Sequence, residues 1–291
     1  MKKIVNFIKS NLKLLLKIFW YLHKPLVFSN KKLRNIHKGE TCFIFANGGS
    51  LKYYDISKLP DNPSIVCAYA LMDKRTEALN IKYYVTTDSY SLYSICFNTY
   101  PHIRKFQKNK IRPIFKELFQ KHKDIRIFAN ITNFYSLICR RKKISYFHYF
   151  NDKNSFNDDL AGNFSNIRAA LDTMLGVAKF LGFKKAILIG CDYLGTPPML
   201  GHFYADYEPF EHSSEDYSEY RARVQKAAEG IDVCVILPEG ITSPDFEFDS
   251  YENYFKIGRE YKENKDLIND RYLDMLRDAA DSNQTVMKKD S

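Results

Sequence analysis

Three short segments of this sequence carry side chains suited to a phosphorylated ligand. The first, Phe45-Ala46-Asn47-Gly48-Gly49-Ser50-Leu51, sets a glycine pair behind an apolar run. Glycines let backbone N–H groups approach a phosphate closely, and Asn47 and Ser50 add side-chain donors and a helix-cap candidate. The segment is neither GxGxxG nor a P-loop, because no GK[ST] follows, and a structural tight turn explains it equally well. The second, Gly190-Cys191-Asp192-Tyr193-Leu194-Gly195, puts an acid and a phenol just past a strand, where open α/β sheets bind ligands. Asp192 suits a ribose hydroxyl or the holding of a loop. The third is Gly201-His202-Phe203-Tyr204-Ala205-Asp206, with His212 following just ahead of a helical stretch. A loop histidine beside a nucleotide site suits a general base. Of seven histidines, His202 and His212 are the two with site-like neighbours.

Other chemistries find no foothold. There is no GxSxG, no HExxH and no DxD pair of the kind a metal-dependent sugar-nucleotide transferase uses. The adjacent acids Asp158 and Asp159 point opposite ways and read as a solvated loop. The six cysteines, at 42, 67, 96, 139, 191 and 234, stand singly, without metal or CxxC spacing. They read as reduced core residues of a cytoplasmic protein, and no metal is expected.

The elements that must position these segments are short apolar runs punctuated by turn residues. Strands are predicted at Thr41–Ala46, Ser64–Tyr69, Lys82–Thr86, Ile125–Ala129, Lys185–Gly190 and Asp232–Leu237. Several are continuously apolar, as strands covered on both faces are. Helical periodicity fills Ile167–Leu181, with Gly182 as its stop, and Ser213–Glu229, with Gly230 as its stop. Each of these helices precedes a strand. The alternation predicts an α/β domain over residues 40–245: an open, mostly parallel Rossmann-like sheet with helices on both faces. Residues 91–123 read as helical or irregular, and 140–165 as a polar, aromatic connection. A helical C-terminal tail occupies 246–291, disordered towards its end.

The net charge of +10 belongs to one end of the chain. Residues 1–39 hold ten Lys and Arg and no acid, which leaves 34 bases against 34 acids elsewhere. A formally neutral body lacks the basic face that nucleic acid needs. At about 100° per residue, Lys2, Lys9, Lys13, Lys17 and Lys24 share one stripe, opposite Ile8, Leu12, Leu15, Ile18 and Leu22. Lysines interrupt the apolar stretch too often for a spanning helix, and no signal-peptide cleavage site follows. An N-terminal amphipathic helix on an anionic membrane surface, engaged through residues 1–28, is the expectation; Pro25 is expected to end it. Packing on the protein's own body is the alternative. The protein is thus expected in the cytoplasm, on the inner face of the membrane. A homo-oligomer is compatible with the sequence.

Taken in order, the three segments resemble the bacterial lipooligosaccharide sialyltransferases of glycosyltransferase family 42. That family opens its nucleotide domain with Asn-Gly-Pro-Ser-Leu-Lys, matched by Asn47-Gly48-Gly49-Ser50-Leu51-Lys52, with Asp55 and Pro60 following. Its Leu-Gly-Tyr-Lys and Gly-Ile-Asp-Phe are matched by Leu181-Gly182-Phe183-Lys184 and Gly190-Cys191-Asp192-Tyr193. Tyr204-Ala205-Asp206, His212 and Pro238 complete a match over roughly residues 41–240. The resemblance implies an inverting, metal-independent glycosyltransferase with a CMP-linked sugar donor, CMP-sialic acid or a relative, extending a surface glycan or glycolipid. It implies His212 as the base and Tyr204 as a ligand of the departing phosphate. Asn47, Gly48, Gly49 and Ser50 would hold the nucleotide. A CMP leaving group is already a stabilised anion, so phenol donors can stand in for a metal.

This sequence departs from the family pattern at four places. Ala68 stands for one asparagine, and Thr87 or Asp88 for another. Ala169-Ala170-Leu171 replaces Thr-Ser-Gly, with Ser165 and Asn166 one turn earlier. Leu194 takes the place of a tyrosine, with Tyr193 beside it. Asp88, Ser165, Asn166, Asp192 and Tyr193 are therefore further nucleotide-binding candidates. Two other readings remain: an enzyme related to the pterin diphosphokinase and flagellar-glycosylation groups, and a nucleotide-binding scaffold of a glycan assembly complex.

Overall fold

The computed structural model describes residue 18 and residues 21–87, 112–134, 143–147, 156–165, 169–199, 201–204 and 216–276. Eight strands form one sheet: β1 Thr41–Phe45, β2 Ser64–Cys67, β3 Ile81–Thr86, β4 Arg126–Asn130, β5 Lys143–Phe147, β6 Lys185–Ile189, β7 Asp232–Leu237 and β8 Glu247–Ser250. Their order is β5-β4-β3-β2-β1-β6-β7-β8, and every pairing is parallel. The chain therefore builds outwards from β1 to one edge, then crosses back to lay β6 against β1's other side. That reversal is the topological switch point, the edge at which open α/β sheets bind ligands.

Both faces of the sheet are covered, which explains the continuous apolar runs. In β1, Phe43 and Phe45 enter one core while Cys42 and Ile44 enter the other. The first core lies under α1 (Arg112–Lys121) and the C-terminal helices, the second under α2 (Ala170–Leu181) and α3 (Ser218–Ala228). Helix α2 is apolar nearly all round because it lies in the interior, and it stops at Gly182, whose φ of 91° is left-handed. The Gly182 N–H donates to the carbonyls of Ala178 and Lys179, at 3.1 and 3.0 Å.

Two strands were not expected. Strand β5 lies inside the segment read as a connection. Strand β8 lies beyond residue 245, so the sheet extends into the C-terminal segment. The single C-terminal helix is replaced by three short ones, Tyr251–Phe255, Asn264–Leu267 and 270–276.

Nor does Pro25 end a helix. Residues 21–28 are helical, followed by a 3₁₀ turn over Ser29–Leu33. A proline removes one helix hydrogen bond, but here burial holds the turn around it. Val27 is fully buried, His23 meets Phe134 edge-on at 4.9 Å, and the Asn30 amide donates to the carbonyls of Tyr146 and Leu160. This end of the leader packs on the body; residues 1–17 lie outside the described residues. No helix among the described residues is long and apolar enough to cross a membrane.

Candidate functional site

Strands β1 and β6 pair from Thr41 opposite Lys185 to Phe45 opposite Ile189, so both end level. The glycine turn and the Gly190–Tyr193 segment therefore leave the sheet side by side. Ala46 N–H donates to the Ile189 carbonyl at 3.0 Å, and Gly48 N–H to the Gly190 carbonyl at 2.9 Å. One step further, Ser50 donates to Asp192 twice, from its N–H (2.8 Å) and from its hydroxyl (2.5 Å). A Cβ on Gly48 would strike both the Asp192 carboxylate and the Gly190 carbonyl. Glycine is required there by this close approach, since its φ of −63° is ordinary.

Asp192 is thus a clamp on the turn. Only 2% exposed, it has its carboxyl pushed up to about 6 by burial, against the pull of the Ser50 and Gly49 donors. Of the two roles expected for it, the structure shows the holding of a loop.

The third segment arrives on the same edge. Gly48 and His202 form an antiparallel bridge, and Phe203 N–H donates to the Asn47 carbonyl at 3.0 Å. The His202 ring stacks on Tyr204 (5.0 Å between centroids, 23° between planes). Tyr204 meets Tyr69, two residues past β2, edge-on at 5.3 Å. Burial holds His202 below the usual histidine range, against a backbone hydrogen bond to Asn47 that favours the charged ring. Asn47 Oδ1 and His202 Nδ1 are both buried without a hydrogen-bond partner.

A second buried charge braces the far side of the turn. The Arg75 guanidinium bonds both Asp73 carboxylate oxygens, the Leu51 carbonyl (3.0 Å) and the Tyr54 carbonyl. Next to the site, Ala68 has a φ of 44°, an uncommon left-handed conformation for alanine.

The structure therefore brings together Asn47, Gly48, Gly49, Ser50, Asp192 and Tyr204. Tyr193 leaves the same edge but faces α3, stacked on Tyr217 at 4.9 Å and edge-on to Tyr220 at 6.3 Å. Ser165 is buried, its hydroxyl accepting from Asn157 N–H at 2.9 Å. His212, Asp88 and Asn166 lie outside the described residues. Sequence reasoning missed Arg75 and Tyr69, which no local motif marks, and weighed His202 without carrying it forward. No group of three or more His, Cys, Asp or Glu among the described residues is arranged to hold a metal ion.

The fold and the turn together define an α/β protein with a braced polar turn at its switch point. No protein-family model matches the chain, and no curated protein matches it at a significant level. Among solved structures it is similar to the sialyltransferase CstII from Campylobacter jejuni in complex with cytidine-5'-monophosphate, at 16% identity and a TM-score of 0.38, covering 81% of this chain and 96% of that one. The same enzyme with CMP-3FNeuAc aligns at 16% identity and a TM-score of 0.36, covering 80% and 97%. At that distance neither supplies a residue role here.

Proposed function

We propose that this chain is a glycosyltransferase that takes a sugar from a nucleotide-monophosphate donor, CMP-linked, and passes it to a glycan or glycolipid hydroxyl. The observation that carries the reading is the clamped turn: Gly48 seated against Asp192, Ser50 bonded to it twice, with Asn47 and Tyr204 on the same strand edge. The N–H groups of Gly48, Gly49 and Ser50 are taken up by the Gly190 carbonyl and Asp192, so the turn serves as a fixed frame that presents polar side chains at the strand edge where open α/β sheets bind ligands. Tyr204 supplies a phenol for the departing phosphate oxygen. His212 is the base in this reading, removing the acceptor's proton as the sugar carbon changes partner with inversion. The motif order over residues 41–240 supports these roles, and so does the return of the chain to this edge, where Tyr217 stacks on Tyr193.

The test is a melting series followed by turnover. CMP is expected to raise the melting temperature more than UMP or GMP, since a ligand that binds only the folded state stabilises it by mass action. His212→Ala is expected to abolish sugar transfer while nucleotide affinity stays within a few-fold. Better stabilisation by UMP or GMP would remove the donor assignment, and unchanged turnover would remove the base.

A further inference from the structure

We propose that Asn47 Oδ1 and His202 Nδ1 form a paired acceptor site at the switch point, taking a group of the nucleoside that offers two hydrogen-bond donors. The proposal rests on the nucleotide reading above and says which part of the nucleotide lies where. Both atoms are buried and neither has a hydrogen-bond partner, a state that native proteins seldom leave unanswered. They belong to one local structure, because the Gly48–His202 bridge and the Phe203-to-Asn47 hydrogen bond tie the two segments together.

Each atom has its orientation fixed from behind. The Asn47 amide nitrogen is turned towards Cys67 Sγ at 3.9 Å, which leaves Oδ1 as the free end. The His202 ring lies flat on Tyr204, and the residue's backbone is bridged to Gly48. Nδ1 has no partner, and in the neutral ring with its proton on Nε2 it presents a lone pair. Two acceptors have nothing to offer an ionised phosphate, which presents only acceptors. They suit instead a ribose cis-diol, with two O–H donors, or an exocyclic amine, with two N–H donors.

The experiment is isothermal titration of the full chain at neutral pH with CMP, its 2'-deoxy analogue and UMP. His202→Phe keeps a ring on Tyr204 and removes the acceptor. It is expected to weaken CMP binding roughly three- to tenfold, the loss of one neutral hydrogen bond. Loss of a preference for CMP over the deoxy nucleotide identifies the diol; loss of a preference for CMP over UMP identifies the amine. His202→Gln, whose Oε1 still accepts, is expected to recover part of the affinity, which a ring needed only for packing would not do. Thermal melts of both variants establish that each is folded. A His202→Phe chain that binds all three ligands as the wild type does overturns the acceptor pair and leaves the nucleotide reading standing, as does a wild type that binds all three alike. A wild-type chain that binds none of them removes both.

Discussion

Asp192 is where the chemistry of single residues can be tested most directly. Its carboxyl lies near 6 in the folded protein against an ordinary value of 3.8, so folding favours the protonated form. The sign follows: its contribution to stability is fully present below about pH 4, is lost as pH rises through 6, and is level above pH 7. At about 1.4 kcal/mol per pH unit the span is roughly 3 kcal/mol. Asp192→Asn does not titrate. Urea melts are therefore expected to show the wild type losing stability relative to this variant between pH 4 and 7. Parallel curves across that range would mean that the carboxyl is not buried as described. Asp192, with Tyr193 beside it, stood out in the sequence for its place after a strand, but its partner did not. Ser50 lies 142 residues away, and nothing local to either residue shows that they meet.

Among the elements, the leader's end offers the sharpest expectation. Deleting residues 1–28 removes Val27 from the core and His23 from Phe134, and is expected to destabilise the fold by about 2–4 kcal/mol. A thermal melt checks this; an unchanged midpoint would show that the docked turn contributes nothing. The six interior strands were legible because burial on both faces leaves an unbroken apolar run, and β7 was read to the residue. The two missed strands are the sheet's edges. In β5 the run follows the basic stretch Arg140–Lys143, and β8, Glu-Phe-Asp-Ser, carries two acids in four residues. Edge strands lack a neighbour on one side and are kept polar against unwanted pairing, so the signal that reveals the others is weakest there. Pro25 misled for a related reason: local propensity argued for a stop, and tertiary packing overrode it.

Over the whole molecule, charge and exposed apolar surface coincide. Ile18, Tyr21, Leu22, Phe28 and Ile36 are five of the seven large apolar side chains exposed among the described residues, all within the segment that holds the surplus lysines. On the wheel, Ile18, Tyr21, Leu22 and Phe28 share an arc facing away from His23 and Val27, which point into the body. An anionic bilayer is the partner this pattern suits. Ile18→Glu with Leu22→Glu is expected to release the protein from vesicles containing phosphatidylglycerol in a flotation assay, with no change in melting temperature. Flotation equal to the wild type would count against a membrane role for this face.

The bracing of the turn has a consequence for selectivity. Held to Asp192 on one flank and to Arg75 on the other, the backbone from Gly48 to Tyr54 is shaped before any visitor comes. A floor so rigid cannot mould itself to its guest. Ligands that fit would dock without waiting for the floor to order, and near misses would be turned away by geometry rather than by slow rearrangement.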